Sequence, residues 1–234
     1  MKLSIIIPAH NEDKTIAEIL RRVAEVNIAP WEKEIIVVND GSVDNTKSVV
    51  EASTSKIGGG EKLLLINHQA NLGKGAAIKT GLEKASGDYA IIQDADLEYF
   101  PEDIPKLLQP INRRATTSGM AVFGNRGTKS YPERGFHYVF GAKLLTGIFN
   151  VLYGVWLHDL YVGYKLFPST AITNIESNGF ELEAELAAKL IKAGCKIIEA
   201  PINYKPRSHA QGKHLRPKDA IIGMWAIIKY RFYR

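Results

Sequence analysis

The chain has 234 residues, 45% of them apolar, and a formal charge of +5, which suffices for one large domain with a real core and leaves no long disordered stretch or linker. Its single cysteine, Cys195, excludes a disulfide framework and a cysteine-cluster metal site. The apolar runs are too short for a spanning helix, being interrupted by Lys143, Tyr153, Gly154 and His158. Met1 to Pro8 is too short for a signal peptide and runs straight into an apolar strand, which predicts a cytoplasmic protein. Lysine and arginine gather after residue 200, a balance that suits nucleic acid, an anionic bilayer or a phosphate-rich substrate without choosing among them.

Residues 3–7 form a β-branched strand stopped by Pro8, and Asn11-Glu12-Asp13 opens a helix with Ile16, Ile19, Leu20 and Val23 on one face. A second strand over 34–38 ends in Asn39-Asp40-Gly41-Ser42, with a helix following to about Ala52. After a loop over 53–60, the strand 62–67 leads to Asn71-Leu72-Gly73-Lys74-Gly75 and a helix reaching Ala85. Its glycines permit close approach and Lys74 can meet a phosphate, although the full P-loop pattern is missing.

The strand 89–93 ends abruptly in Asp94, Asp96 and Glu98, which read either as caps for the helix over 102–114 or as a site for a hard cation. A strand over 120–124 exits into Asn125-Arg126, and 127–136 is a basic loop. The greasy stretch 137–157 is a helix or helix pair that either packs over a sheet edge or faces lipid. Asp159 to Phe167 reads as a short connection, 180–193 as a strong helix with Glu181, Glu183 and Glu185 near its start, and 195–199 as the last strand. A basic loop holding Arg207 and Lys213 precedes an amphipathic helix over 219–232, whose mixed aromatic and basic end suits a membrane interface or packing on the domain.

Strands alternating with helices predict an α/β fold with a mostly parallel sheet. Three strand exits deliver acids, Glu12, Asp40 and the Asp94/Asp96 pair, to the sheet end where such folds bind ligands. A nucleotide suits them: Asp40 for the base, Glu12 for ribose, Asp94 and Asp96 for ribose and metal. No Gly-x-Gly-x-x-Gly follows the first strand, which argues against NAD or FAD. A metal-held diphosphate is a leaving group, and Arg126, Arg134 and Arg207 are candidates for an acceptor phosphate. Convergent acids repel nucleic acid, which removes that class of partner.

These motifs together resemble family 2 glycosyltransferases of the GT-A fold, in the branch of dolichyl-phosphate mannose synthase and related polyprenyl-phosphate sugar transferases. Ile7-Pro8-Ala9-His10-Asn11-Glu12, Asn39 to Thr46 and Asn71 to Gly75 match the nucleotide motifs in order, and Gln93-Asp94-Ala95-Asp96-Leu97-Glu98 matches the Asp-x-Asp metal signature. The resemblance implies a single GT-A domain over 1–234, Rossmann-like and sugar-nucleotide-binding over 1–124, with the acceptor half and C-terminal helix over 125–234. It implies Pro8, Ala9, Asn11, Glu12, Asp40, Lys74, Asp94, Ala95 and Lys213 as donor-binding residues. It further implies Mg2+ or Mn2+ on Asp94, Asp96 and Glu98, and Asp96, Arg126, Asp159 and Arg207 at the reacting centre, with Asp159 orienting the sugar or, alternatively, acting as a base.

The implied reaction is inverting transfer from a GDP- or UDP-sugar to a dolichyl or undecaprenyl monophosphate. The implied setting is the cytoplasmic face of an anionic membrane, with a second copy or a membrane protein as possible company. Glu98 stands where mannose synthases commonly have Gln, and Asn125 where Ser is usual, which loosens the inference of GDP-mannose. The alternative is a family 2 transferase with a different acceptor, soluble or lipid-linked.

Overall fold

A computed structural model describes residues 1–54, 62–113, 119–127, 136–179, 181–206 and 217–232. Its strands are β1 (Lys2–Ala9), β2 (Glu32–Asp40), β3 (Lys62–His68), β4 (Tyr89–Ile92), β5 (Met120–Asn125), β6 (Lys165–Pro168) and β7 (Lys196–Pro201). Its helices are α1 (Ile16–Glu25), α2 (Thr46–Thr54), α3 (Lys74–Lys84), α4 (Ile104–Asn112), α5 (Phe136–Tyr153), α6 (Leu182–Lys192) and α7 (Pro217–Phe232). The strands form one sheet in the order β3-β2-β1-β4-β6-β5-β7. This is the α/β, mostly parallel, helix-flanked architecture expected from the strand and helix alternation, and it fits the GT-A fold that the resemblance implies.

The central strands are apolar on both faces because helices cover both. On one face Ile16, Ile19, Leu20 and Val23 of α1 are buried in the main core. On the other, Gly81 of α3 sits where a Cβ would lie 2.5 Å from the Ile6 side chain, so a glycine lets α3 settle directly on β1. Cys195 is buried just before β7, where loss of solvent pushes its thiol pKa up.

Two features set the site. Strand β4 pairs with β1 only as far as Ile6 opposite Ile92, and the Gln93 amide makes the last bond, to the Ile6 carbonyl at 2.9 Å. Pro8 points its backbone the same way as Ile6, so its missing N–H falls where β4 has already peeled away and a crevice opens. The second feature is β6, which lies in a stretch expected to be a mere connection and runs antiparallel to β4 and β5. Being reversed, β6 begins at the end where β1, β2, β4, β5 and β7 finish, so the segment from Asp159 to Lys165 reaches the same rim as the strand exits.

The stretch 137–157 resolves into one helix, α5, up to Tyr153 and a short irregular segment after it, with Leu145 and Phe149 of the helix entering the core. It packs on α7, with the Tyr153 hydroxyl donating to the Ile227 carbonyl at 3.0 Å and Arg231 Nε to the Leu152 carbonyl at 2.8 Å. Phe140, Leu144, Val151, Trp156, Ile221, Trp225 and Phe232 remain exposed. Among the described residues no helix is long and apolar enough to cross a membrane.

Candidate active site

The exits of β1 and β2 are knitted to each other. Asn11, at φ 55°, takes the Val43 amide on its side-chain oxygen at 2.9 Å, and its own amide donates to Ser42 Oγ at 3.0 Å. The Glu12 amide donates to Thr46 Oγ1 at 2.8 Å while the Glu12 carboxylate accepts the Thr15 hydroxyl at 2.8 Å. The Asp40 carboxylate accepts the Leu72 and Gly73 amides at 3.0 and 2.8 Å and lies 2.7 Å from His68 Nδ1. Asp40 therefore anchors the loop that carries Lys74. Gly41, at φ 63°, is required here: a Cβ would lie 2.2 Å from the Ala70 carbonyl carbon.

Lys74 begins α3 and reaches across the crevice to Asp94 Oδ1 at 2.7 Å, with Glu183 Oε1 of α6 at 3.5 Å. Loss of solvent works against the Lys74 charge, but Asp94 and Glu183 more than offset it and its pKa is raised. On the far side of Glu183 lies the fully buried Lys165, whose ammonium pairs with Glu183 and donates to the Leu160 and Val162 carbonyls. Burial lowers the Lys165 pKa, with Glu183 opposing the shift.

Asp96 accepts the Glu98 amide at 3.1 Å. The Glu98 carboxylate takes the Tyr204 hydroxyl at 2.8 Å, and the Glu98 carbonyl takes the Lys205 amide at 2.9 Å. Among the described residues no three His, Cys, Asp or Glu side chains form a ready-made metal cage. Asp94, Asp96 and Glu98 thus have different neighbours: an ammonium, a backbone amide and a phenol.

Arg126, at the exit of β5, pairs with Asp159 through Nε–Oδ2 at 2.6 Å and Nη2–Oδ1 at 2.9 Å. Both side chains are buried, 5% and 7% exposed, which makes this a fixed pair rather than a solvated one. The Arg126 guanidinium lies 4.9 Å from the centre of the Tyr204 ring, and Tyr99 packs against both Tyr204 and Tyr164. The Tyr99 hydroxyl accepts the Gly163 amide at 2.9 Å, and burial lifts its pKa well above the ordinary phenol. Gly163 must be small, because a Cβ there would lie 2.9 Å from Asp94 Oδ2 and 3.4 Å from Lys74 Nζ.

The structure brings Asp94, Lys74, Arg126, Asp159 and Glu98 into one connected rim, and ties Asp40 to it through the loop before Lys74. Pro8 and Ala9 line the β1 exit and Ala95 is buried between the two acids. Arg134, Arg207 and Lys213 lie outside the described residues. Sequence reasoning notes Glu183 only as a helix-terminal acid, and Lys165 only as the end of a connection that the resemblance implies lines the sugar and acceptor site. It singles out neither Tyr99 nor the Tyr204–Glu98 contact. A lysine directly following Gly163-Tyr164, within an apolar run, is the available signal for Lys165.

Residues 4–172 match the glycosyl transferase family 2 model. An uncharacterised protein of Methanocaldococcus jannaschii is 31% identical over 215 residues, 88% of this chain and 89% of that protein. Dodecaprenyl-phosphate galacturonate synthase of Rhizobium johnstonii is 26% identical over 221 residues, 92% of this chain but 62% of its own length. Glucosyl-3-phosphoglycerate synthase of Mycobacterium tuberculosis, crystallised with UDP, has the same fold: TM-score 0.73, 20% identity, 98% of this chain and 80% of that one. Its complex with Mn2+, UDP-glucose and phosphoglyceric acid superposes at TM-score 0.71 with 20% identity, over 98% and 79% of the two chains.

These findings correct the narrower expectation. The fold match covers 98% of this chain and 79% of an enzyme crystallised with UDP-glucose and phosphoglyceric acid, whereas the chain spans 62% of the relative named for a dodecaprenyl phosphate. The dolichyl-phosphate mannose synthase-like assignment, the polyprenyl-phosphate acceptor and the anionic membrane partner are withdrawn. The motifs that carried them are read as nucleotide-sugar motifs, and that reading does not specify an acceptor class. The apolar content of 137–157 is in part explained by the packing of α5 into the core and against α7.

Proposed function

We propose that this chain, which belongs to glycosyl transferase family 2, transfers a sugar from a UDP-sugar to a small, water-soluble acceptor that carries a phosphate or carboxylate, with Mg2+ or Mn2+ as cofactor. The observation that carries the reading is the crevice between β1 and β4, where Lys74 meets Asp94 with Asp96 two residues on. A likeness in fold to an enzyme crystallised with Mn2+, UDP-glucose and phosphoglyceric acid supports it.

In this reading the exits of β1 and β2, from Pro8 to Glu12 and at Asp40, line the nucleoside. Asp94 serves the ribose and Lys74 the diphosphate. Asp96 holds the cation, assisted by Asp94, and their all-oxygen donor set fits a hard divalent ion shared with phosphates. When bound, the ion would neutralise the departing diphosphate. An acceptor hydroxyl keeps its proton near neutral pH, unlike the oxygen of a lipid phosphate, so a hydroxyl acceptor raises the demand for a base. Asp159, oriented by Nε and Nη2 of Arg126, is the carboxylate assigned to that task. Arg207 and Lys213 are assigned to acceptor or product phosphate.

The test is a screen of UDP- and GDP-sugars against 3-phosphoglycerate, glycerol 3-phosphate and a polyprenyl phosphate, with Mn2+, Mg2+ or chelator. Product from a UDP-sugar and a soluble acceptor, lost with chelator, is expected. Product formed solely on the lipid phosphate, or equal turnover in chelator, would overturn the assignment.

A further inference from the structure

The molecule holds a file of alternating charges that the donor reading uses only at one end. It runs Lys165, Glu183, Lys74, Asp94, from a fully buried ammonium to the mouth of the crevice. We propose that Lys165 and Glu183 are positioning residues that hold Lys74 in place for the donor diphosphate, an inference that rests on the nucleotide-sugar reading of the crevice.

Asp94 alone would give Lys74 a single partner on a flexible four-carbon stem. Glu183 supplies a second acid from α6, and Lys165 in turn orients that acid. The ammonium of Lys165 has no exposure, and its carbonyl contacts to Leu160 and Val162 leave it directed at Glu183. A buried lysine is costly to keep unless its charge is used by neighbours.

Three glycines make the file possible. At Gly75 a Cβ would lie 1.7 Å from the Ser177 carbonyl, and at Gly73 2.8 Å from Asn178 Cβ, so the first turn of α3 lies flat against the segment leading into α6. Gly163 leaves the room that the Lys74–Asp94 pair occupies. Glu185, two residues beyond Glu183 on α6, fixes the same segment by accepting the Glu176 and Ser177 amides at 2.8 and 2.7 Å.

A diphosphate that enters the crevice meets Lys74 already extended across it. With Glu183 retained as second partner, the ammonium can turn from Asp94 to phosphate oxygens without losing all of its protein contacts. The consequence is selective: Lys165, Glu183 and Lys74 matter for phosphate and not for the nucleoside, whose ribose falls to Asp94.

The experiment is a calorimetric titration of UDP and, separately, uridine into wild type, Lys74→Met, Glu183→Gln, Lys165→Met and the Lys165→Met/Glu183→Gln pair, each with Mn2+ and with chelator. Far- and near-UV circular dichroism checks the fold, and the double variant leaves no unmatched charge in the core should a single variant misfold. Loss of a charge-assisted contact predicts a Kd for UDP raised roughly tenfold to a hundredfold in every variant, with uridine unchanged. The proposal is overturned if folded Glu183 and Lys165 variants bind UDP like wild type, if UDP and uridine weaken equally, or if the loss vanishes in chelator. A wild type that binds neither UDP nor uridine overturns the UDP reading, and this inference with it.

Discussion

Removing either half of the Arg126–Asp159 pair should destabilise the protein more than removing both. The two side chains are 5% and 7% exposed and share two bonds of 2.6 and 2.9 Å. Arg126→Met leaves a buried carboxylate without its guanidinium, and Asp159→Asn leaves a buried guanidinium facing a neutral amide. Breaking a buried pair in this way costs about 3–5 kcal/mol, whereas replacing both partners by neutral groups of similar volume is close to neutral. For a chain of this size the single variants should therefore lose roughly 6–20 °C in Tm, at about 2–4 °C per kcal/mol. The double variant should recover most of that loss. Urea unfolding of the four proteins at one pH gives the coupling energy directly, free of any assumption about substrate. Single variants within about 0.5 kcal/mol of wild type, or a double variant whose loss equals the sum of the singles, would refute the argument that the pair is a buried and mutually dependent unit.

The Tyr204 hydroxyl donates to the Glu98 carboxylate, so Tyr204→Phe should cost about 1.5–3 kcal/mol in urea unfolding, the range for bonds to a charged group, and a loss below about 0.5 kcal/mol would remove the contact from the stability account. Asp96→Asn should abolish the Mn2+ enhancement of UDP binding in calorimetry while leaving the melting temperature within a few degrees, and an unchanged enhancement would remove Asp96 from the cation. Far from the crevice, Glu34 is buried beside Lys2, Ser4 and Ser86; burial raises its pKa, but their hydrogen bonds prevail and bring it down to about 2. Its folded pKa lies below the unfolded one, so its contribution, on the order of 2 kcal/mol, is complete above the unfolded value and fades as pH falls toward the folded one. The stability gap between wild type and Glu34→Gln should accordingly narrow between about pH 5 and about pH 2.5; a gap constant over that range would contradict it.

Strands that are buried on both faces announce themselves as unbroken apolar runs, which is why β1, β2, β4 and β5 were legible within a residue or two. The acids at their exits were legible for the same reason, since a run such as Ala90-Ile91-Ile92 ending in Gln93-Asp94 marks where burial stops. Strand β6 was not. It has four residues, Lys165 to Pro168, too few for a period to show, and its direction is set by the neighbours β4 and β5 rather than by its own side chains. Yet its reversal is what delivers Asp159 and Gly163 to the rim. The extent of α5 was similarly hidden, because an apolar helix that packs against both core and α7 has no polar face to mark its period.

The site was half legible, and the division follows the range of the interactions. Asp94 and Asp96 declare themselves by position at a strand end, as does Lys74 at a helix start after glycine. Whether a charge is solvated or also engaged by a partner depends on contacts distant in sequence, which local reading does not show: the Asp159 pairing of Arg126 and the Tyr204 hydroxyl on Glu98 are visible only in the fold. The same limit explains the acceptor. Nucleotide-sugar chemistry demands acids and a cation at fixed places along the parallel half of the sheet, so local motifs report it. An acceptor leaves no such local motif, and the apolar stretch that reads as a lipid contact is in part a packing surface, entering the core and bonded to α7.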